Sequence, residues 1–487
     1  MFRRYGYLVL ALIAFSSAAF AGGPASEAFP GGFLWGTLVS AHSTEGNHVD
    51  DWTLWESQAG KIADGSVSGP ACNHWELYPE DQAWMKKLGQ NAALISLEWS
   101  RLQPAKGQFD AAAVKSYRSR LEGLRKLGIE PIVILWDRTL PQWVAAYGGL
   151  MMPCVITDFQ NYAAECGKTF GDLVDTWVTL RDPMGFASKA FKDGLYPPGK
   201  CDIKGYTLAA INLMAMHRGA WQAIKSSDSV SAGEGKAPSL VGLIVGMKWV
   251  RPNRPSNPFD LNLARSRDMA AHLSFLDGVM KGDLFEANPG TSVQSPNPNP
   301  KEKGKGASEQ PPQLPPTNYD HRRADFVVVS YQGLEEVKFN PLKALFTEKI
   351  VPQGVVVDDE QQVIFPEGLT SVLLSVKKYP VPFYVLVGIA DADGQKRGAF
   401  LSAHVRQTRA ALVQGCDVKG FFYDGLLQGF EYDRGFELKK GLLRVNTSIQ
   451  ERKPAPGAEI FRALAVSNGS SESPMPMKRP KVLQPSN

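Results

Sequence analysis

The stretch Ala111–Trp136, "AAAVKSYRSRLEGLRKLGIEPIVILW", is a helical pattern that stops at Gly128 and passes almost directly into a short, unbroken apolar run. A glycine just past the last periodic residue is a helix stop. A continuous run rich in β-branched and aromatic residues is what a strand covered on both faces requires. Such runs recur as "FLWGT" at 33, "AALISLEW" at 92, "PIVILW" at 131, "DTWVTL" at 175, "SLVGLIVGM" at 239, "DFVVVSY" at 325, "FYVLVGI" at 383 and "GFFYDGLL" at 420. Helical patterns such as "YPEDQAWMKKLG" lie between them. Eightfold alternation of strand and helix predicts the α/β class and a (β/α)8 TIM barrel, one domain over residues 27–467, with function at the C-terminal ends of the strands.

Around this body the composition changes. Residues 1–21 carry Arg3 and Arg4, the apolar run "YLVLALIAF" and an Ala19-Phe20-Ala21 exit, the three parts of a signal peptide, so an exported protein, periplasmic or secreted, is expected. The apolar run is shorter than the ~20 residues of a membrane span, and no span is expected after the leader is removed. Residues 287–321, with eight prolines between Asn288 and Thr317, read as a low-complexity insertion on the surface, and a polyproline ligand for a protein partner is the sharper alternative. Residues 468–487 read as a flexible basic tail. Net charge is +4, but leader and tail each contribute a surplus of two, so the body is near neutral and no nucleic-acid face is expected. Five scattered cysteines without a C-x-x-C pair give no zinc motif, and an odd count leaves at least one thiol unpaired.

The landmarks of the body resemble one family, the glycoside hydrolase family 1 β-glycosidases. "FPGGFLWGTLVSAHSTEG" is similar to its N-terminal signature, "LGQNAALISLEWSRLQPAKGQFD" to its second strand and loop, and "WVTLRDP" to the Thr-x-Asn-Glu-Pro that closes its fourth strand. "GIEPIVILWDRTLP" stands in the place of the third strand and "DFVVVSY" of the sixth, and Gly388–Asn446 follow the C-terminal third almost without a gap. The resemblance implies a retaining glycosidase with two glutamates, an acid/base and a nucleophile, roughly 5 Å apart. Position by position, that expectation reverses. The acid/base falls on Asp182, whose carboxyl is retracted by about 1.5 Å, a misplacement able to cost roughly a hundredfold in rate. Arg181 beside it is expected to hold it ionised. The nucleophile falls on Val387 or, with a different gap, Leu386, and neither can form a glycosyl ester.

The supporting shell differs too: Leu94, Ser43, Asp137, Ser330 and Asp424 replace the family's Arg, Gln, His, Asn and Trp, whereas Glu431 and Tyr331 survive and Tyr432 stands for a Trp, and these three with Ser43 and Arg181 are the candidate substrate contacts. Scaffold positions Trp35, Glu98, Trp99, Arg101, Pro141 and Pro183 are kept. Asp137, Arg181, Asp182 and Asp424 are expected to share one mouth, with Trp52 and Trp55 after the first strand either stacking on sugars or packing the rim. Two readings of that mouth follow. One is a rebuilt hydrolase using Asp182 with Asp137 or Asp424. The other, which carries more weight because a working site needs coupled positioning, is a pocket in which Arg181 neutralises aspartates and no chemistry occurs. The expectation is therefore a catalytically inactive barrel that binds a carbohydrate, a glycoside or a protein partner at the mouth. A structural role through the insertion is a third reading. No cofactor or metal is expected: the three aspartates with His42 would suit a hard cation, but Arg181 is adjacent. His217, in "INLMAMHRGAW", reads as a packed helix histidine.

Overall fold

The computed structural model describes residues 28–233, 239–281 and 323–470. The leader, the proline-rich segment over 287–321 and the tail from 471 onward lie outside them. Nine strands form one sheet: β1 (Leu34–Val39), β2 (Ala92–Ser96), β3 (Glu130–Trp136), β4 (Thr176–Arg181), β5 (Leu240–Pro252), β6 (Val327–Phe339), β7 (Thr347–Ile350), β8 (Phe383–Val387) and β9 (Val418–Tyr423). All but β7 correspond to the runs read in the sequence. They pair in parallel in the order β5-β4-β3-β2-β1-β9-β8-β6, and β6 also pairs with β5, so the sheet closes into an eight-stranded barrel. β7 lies antiparallel on the outer half of β6, where β5 and β6 run on for 13 residues each.

The helix Ala111–Lys126 starts where the carboxylate of Asp110 accepts a hydrogen bond from the Ala113 amide at 2.7 Å, and ends before Gly128, whose φ of +69° only glycine adopts without strain. The chain then drops into β3 with no slack.

Alternating strand residues separate into two apolar populations, as strands with period two require. Leu38, Ala92, Leu94, Ile132, Ile134, Val178, Ile244, Phe326, Val328, Tyr384, Leu386 and Phe422 form a cluster with no helix residue in it, the packed barrel interior. The remaining strand residues meet the helices. Asn468, assigned by composition to the tail, belongs to the body. Its side chain accepts from the Trp35 indole at 2.9 Å and donates to the Phe29 carbonyl at 2.6 Å. The five cysteines are all unpaired, and no helix among the described residues is long and apolar enough to cross a membrane.

Candidate functional site

The pairing of β4 with β5 slips between Val178 and Arg181: Val178 faces Gly242, while Arg181 faces Ile244, so β4 holds one extra residue. Such a bulge breaks the in-out alternation. Val178 points into the barrel, Thr179 bonds His217 on the helix side, Leu180 packs with the helices, and Arg181 is turned back toward the mouth. There its guanidinium lies between two carboxylates. Nη1 donates to Asp137 at 3.1 and 3.2 Å, and Nη2 to Asp424 at 2.9 and 3.0 Å. Burial disfavours the cation, but the two aspartates outweigh it and raise the Arg181 pKa. Burial likewise works against the charge of Asp424, and Arg181 outweighs it, holding that carboxyl below its usual range.

The expected Arg181–Asp182 pair does not form, because the next residue leaves the strand. Asp182 has φ +47° and caps the helix Pro183–Phe191, accepting from the Gly185 amide at 3.2 Å. Its other oxygen accepts from Gln332 Nε2 at 3.2 Å and lies 3.8 Å from an Arg138 Nη. Arg138 and Tyr432 also have positive φ, +70° and +50°. Three strained non-glycine residues thus line one cleft, a recurrent mark of sites whose surroundings fix an otherwise unfavourable backbone.

That cleft, about 180 Å³, is bounded by Arg138, Arg181, Asp182, Tyr331, Asp424, Glu431, Tyr432 and Lys440, and on its far side by the segment between β7 and β8 with Asp358, Glu360 and Phe365. Tyr331 donates to the Phe365 carbonyl at 2.6 Å. The Tyr432 hydroxyl donates to the Asp137 carbonyl at 3.3 Å. Most acids here are engaged: Glu360 with Lys440 at 2.8 Å, Asp433 with Lys189 at 3.2 Å. Glu431 differs. Burial raises its pKa, and its nearest ionic partner is Lys440 at 3.6 Å. Among the described residues its carboxylate makes no hydrogen bond.

Other expected site residues lie elsewhere. Trp52 is wholly buried, its indole donating to the Arg138 carbonyl at 3.0 Å and its ring edge-on to Tyr196 and Tyr432. Trp55 is covered by Lys61. Neither lines the cleft, and both rings are packed in the core beside it. Ser43 is buried, and its carbonyl accepts from the Phe430 amide. Val387 pairs in register with Tyr331 and Tyr423 and faces the helices, whereas Leu386 faces the barrel interior. Of the two alignments of the nucleophile position, Leu386 is therefore the inward one. His42 bonds Asp50, not the three aspartates. His217 is a packed helix residue. Its Nε2 donates to the Arg323 carbonyl at 2.8 Å, leaving Nδ1 to accept from Thr179 at 2.5 Å.

Arg138, Lys189, Asp358, Glu360 and Lys440 were not singled out in the sequence. Only "DDEQQ" before "VIFPEG", an acidic turn between two predicted strands, marks part of this set. The arrangement offers hydrogen-bonding groups of both signs around a polar hollow, with its strongest cation already clamped.

The sequence model described as glycosyl hydrolase family 1 matches residues 25–470. The beta-galactosidase of Pyrococcus woesei is 27% identical, over 91% of this chain and 98% of its own. The rice protein named "Probable inactive beta-glucosidase 14" (Oryza sativa subsp. japonica) is 25% identical over 89% of this chain and 90% of its own. Among solved structures, a family 1 β-glucosidase from Thermotoga maritima superposes with a TM-score of 0.79 at 24% identity, covering 92% of this chain and all of that one.

Proposed function

The chain belongs to glycosyl hydrolase family 1, and from that premise we propose that it is an exported family 1 barrel that binds a carbohydrate at the barrel mouth without hydrolysing it. The observation carrying this reading is the Arg181 clamp. Asp137 and Asp424, the two partners available to Asp182 for acid/base work, are both spent on one guanidinium. A carboxylate whose two oxygens are both committed to a guanidinium is badly placed to deliver or collect a proton on a substrate. Strand β8 presents Leu386 and Val387 at its end, and neither offers an oxygen nucleophile. Glu431 and Tyr432, in the places that the family resemblance gives to sugar contacts, still face the cleft. A carboxylate without a hydrogen-bond partner on a polar hollow is suited to accept from paired hydroxyls.

The test has two arms on the full chain. In the first, aryl β-glycosides are assayed with the protein and with Asp182→Asn. No turnover above background is expected from either, and turnover abolished by Asp182→Asn would overturn the non-catalytic reading in favour of a rebuilt acid set. In the second, β-linked disaccharides are titrated calorimetrically. Binding weakened about tenfold or more by Glu431→Gln is expected from the loss of a charged hydrogen bond, and binding indifferent to that change would remove the mouth as the ligand site.

A further inference from the structure

Behind the cleft floor, the segment that follows β1 folds three side chains onto one point. One nitrogen of His42, one of His48 and a carboxylate oxygen of Asp50 lie within 4.8 Å of one another. Asp50 Oδ2 is 2.8 Å from His42 Nδ1 and 3.1 Å from His48 Nε2, and Glu98 Oε2 is 3.7 Å from the same His48 nitrogen. His42 and Asp50 side chains are fully buried, and that of His48 is 4% exposed. We propose that His42, His48 and Asp50 form a structural site for a divalent transition-metal ion of the zinc type, with the Glu98 oxygen beside His48 as the nearest protein group for a fourth ligand.

Two imidazoles with carboxylate oxygen suit such an ion. With metal–ligand distances of about 2.0–2.1 Å, tetrahedral ligands stand about 3.4 Å apart, so the Asp50 contacts need open only by about half an ångström.

A second, independent observation concerns protons. His42 Nε2, His48 Nδ1 and Glu56 Oε2 are all buried without a hydrogen-bond partner, and His42 Nε2 faces Glu56 Oε2 at 3.6 Å. Without a metal, either the Nε2 lone pair of a neutral His42 ring looks at a carboxylate, or the ring is a doubly protonated cation buried between Asp50 and Glu56. A metal on Nδ1 places the proton on Nε2, aimed at Glu56. That is the outer carboxylate partner by which metal-bound imidazoles are oriented. Glu56 is itself held, its other oxygen accepting from the Ser68 amide and hydroxyl.

Burial closes the site to substrate, so the ion's work is to fix the segment. Asp51 takes the Leu140 amide, Trp52 holds the Arg138 carbonyl, and the His42 ring stacks on Tyr432 at 5.6 Å. The ion would thereby set two residues of the cleft.

The full chain, stripped with chelator and dialysed, is titrated with Zn2+ by calorimetry and with Co2+ by visible absorption. The expected result is one ion per chain, intense tetrahedral cobalt bands, and a melting temperature that rises with Zn2+. His48→Gln and Asp50→Asn should weaken binding by about a hundredfold and Glu56→Gln by about tenfold, while His74→Gln, which breaks a second buried His–Asp pair, should not. Substoichiometric metal, octahedral cobalt bands, or wild-type affinity in the ligand variants would overturn the site and leave an ion-pair network in its place. Wild-type stoichiometry and spectrum decide the matter even if a ligand variant does not fold.

Discussion

Without its guanidinium, position 181 would leave Asp137 buried and Asp424 partly buried without the ion-pair partner that each now has. Removing one partner of a buried ion pair costs about 3–5 kcal/mol, and Arg181 serves two, of which Asp424 keeps some solvent, its side chain being 28% exposed. Arg181→Met is therefore expected to destabilise by about 3 kcal/mol in urea unfolding, and adding Asp137→Asn and Asp424→Asn should restore much of the loss. A triple variant no more stable than the single one would show that the clamp is not the source of the cost. Residue identity at 181 and 182 was legible in the chain. Which acid the arginine serves was not, since Asp137 and Asp424 lie far from it in sequence. Sequence adjacency pointed to Asp182 instead, and the bulge together with a positive φ sends that side chain away.

The bulge in β4 shows where element-level reading ran out. "WVTLRDP" reads as a strand end, but one extra residue leaves no trace in composition; it becomes visible only when β5 supplies a register. The helix Ile203–Ser227 supports it from behind through His217 and Thr179. Burial pushes the pKa of His217, and of His404 in the helix Arg397–Val413, down to about 4. The unfolded chain, with histidine near 6.5, binds more protons between pH 4 and 6.5. Each ring therefore adds stability that is fully present above pH 6.5 and is lost progressively as pH falls to about 4, of order 3 kcal/mol each. Urea midpoints of wild type and His217→Gln, compared across that range, should converge as pH falls; a constant difference would mean that His217 is not neutral in the fold. The segment between β7 and β8 was missed for a similar reason, because loops carry no periodicity and only the barrel's closure brings Asp358 and Glu360 opposite Arg138.

Across the whole molecule, closure depends on backbones approaching where no side chain fits. A Cβ on Gly36 would stand 2.2 Å from the Ala92 carbonyl oxygen and 2.7 Å from the Phe422 ring. Gly36→Ala is expected to lower stability by about 1–3 kcal/mol, the usual cost of overpacking, read as a fall in melting temperature. An unchanged transition would mean that β1 and β2 part more easily than the register suggests. The chain by itself determined the barrel, its eight strands and their helices, because continuous apolar runs and glycine stops are local signals that closure merely satisfies. It also determined that no carboxylate lies between Tyr384 and Gly388, since composition is independent of geometry. Only the tertiary structure decided that Arg181 joins Asp137 to Asp424, that Leu386 rather than Val387 faces inward, that Trp52 and Trp55 pack in the core beside the cleft, and that His42, His48 and Asp50 converge. Each of these depends on register and on which face of a strand or loop is buried, and a shift of a single residue reverses both.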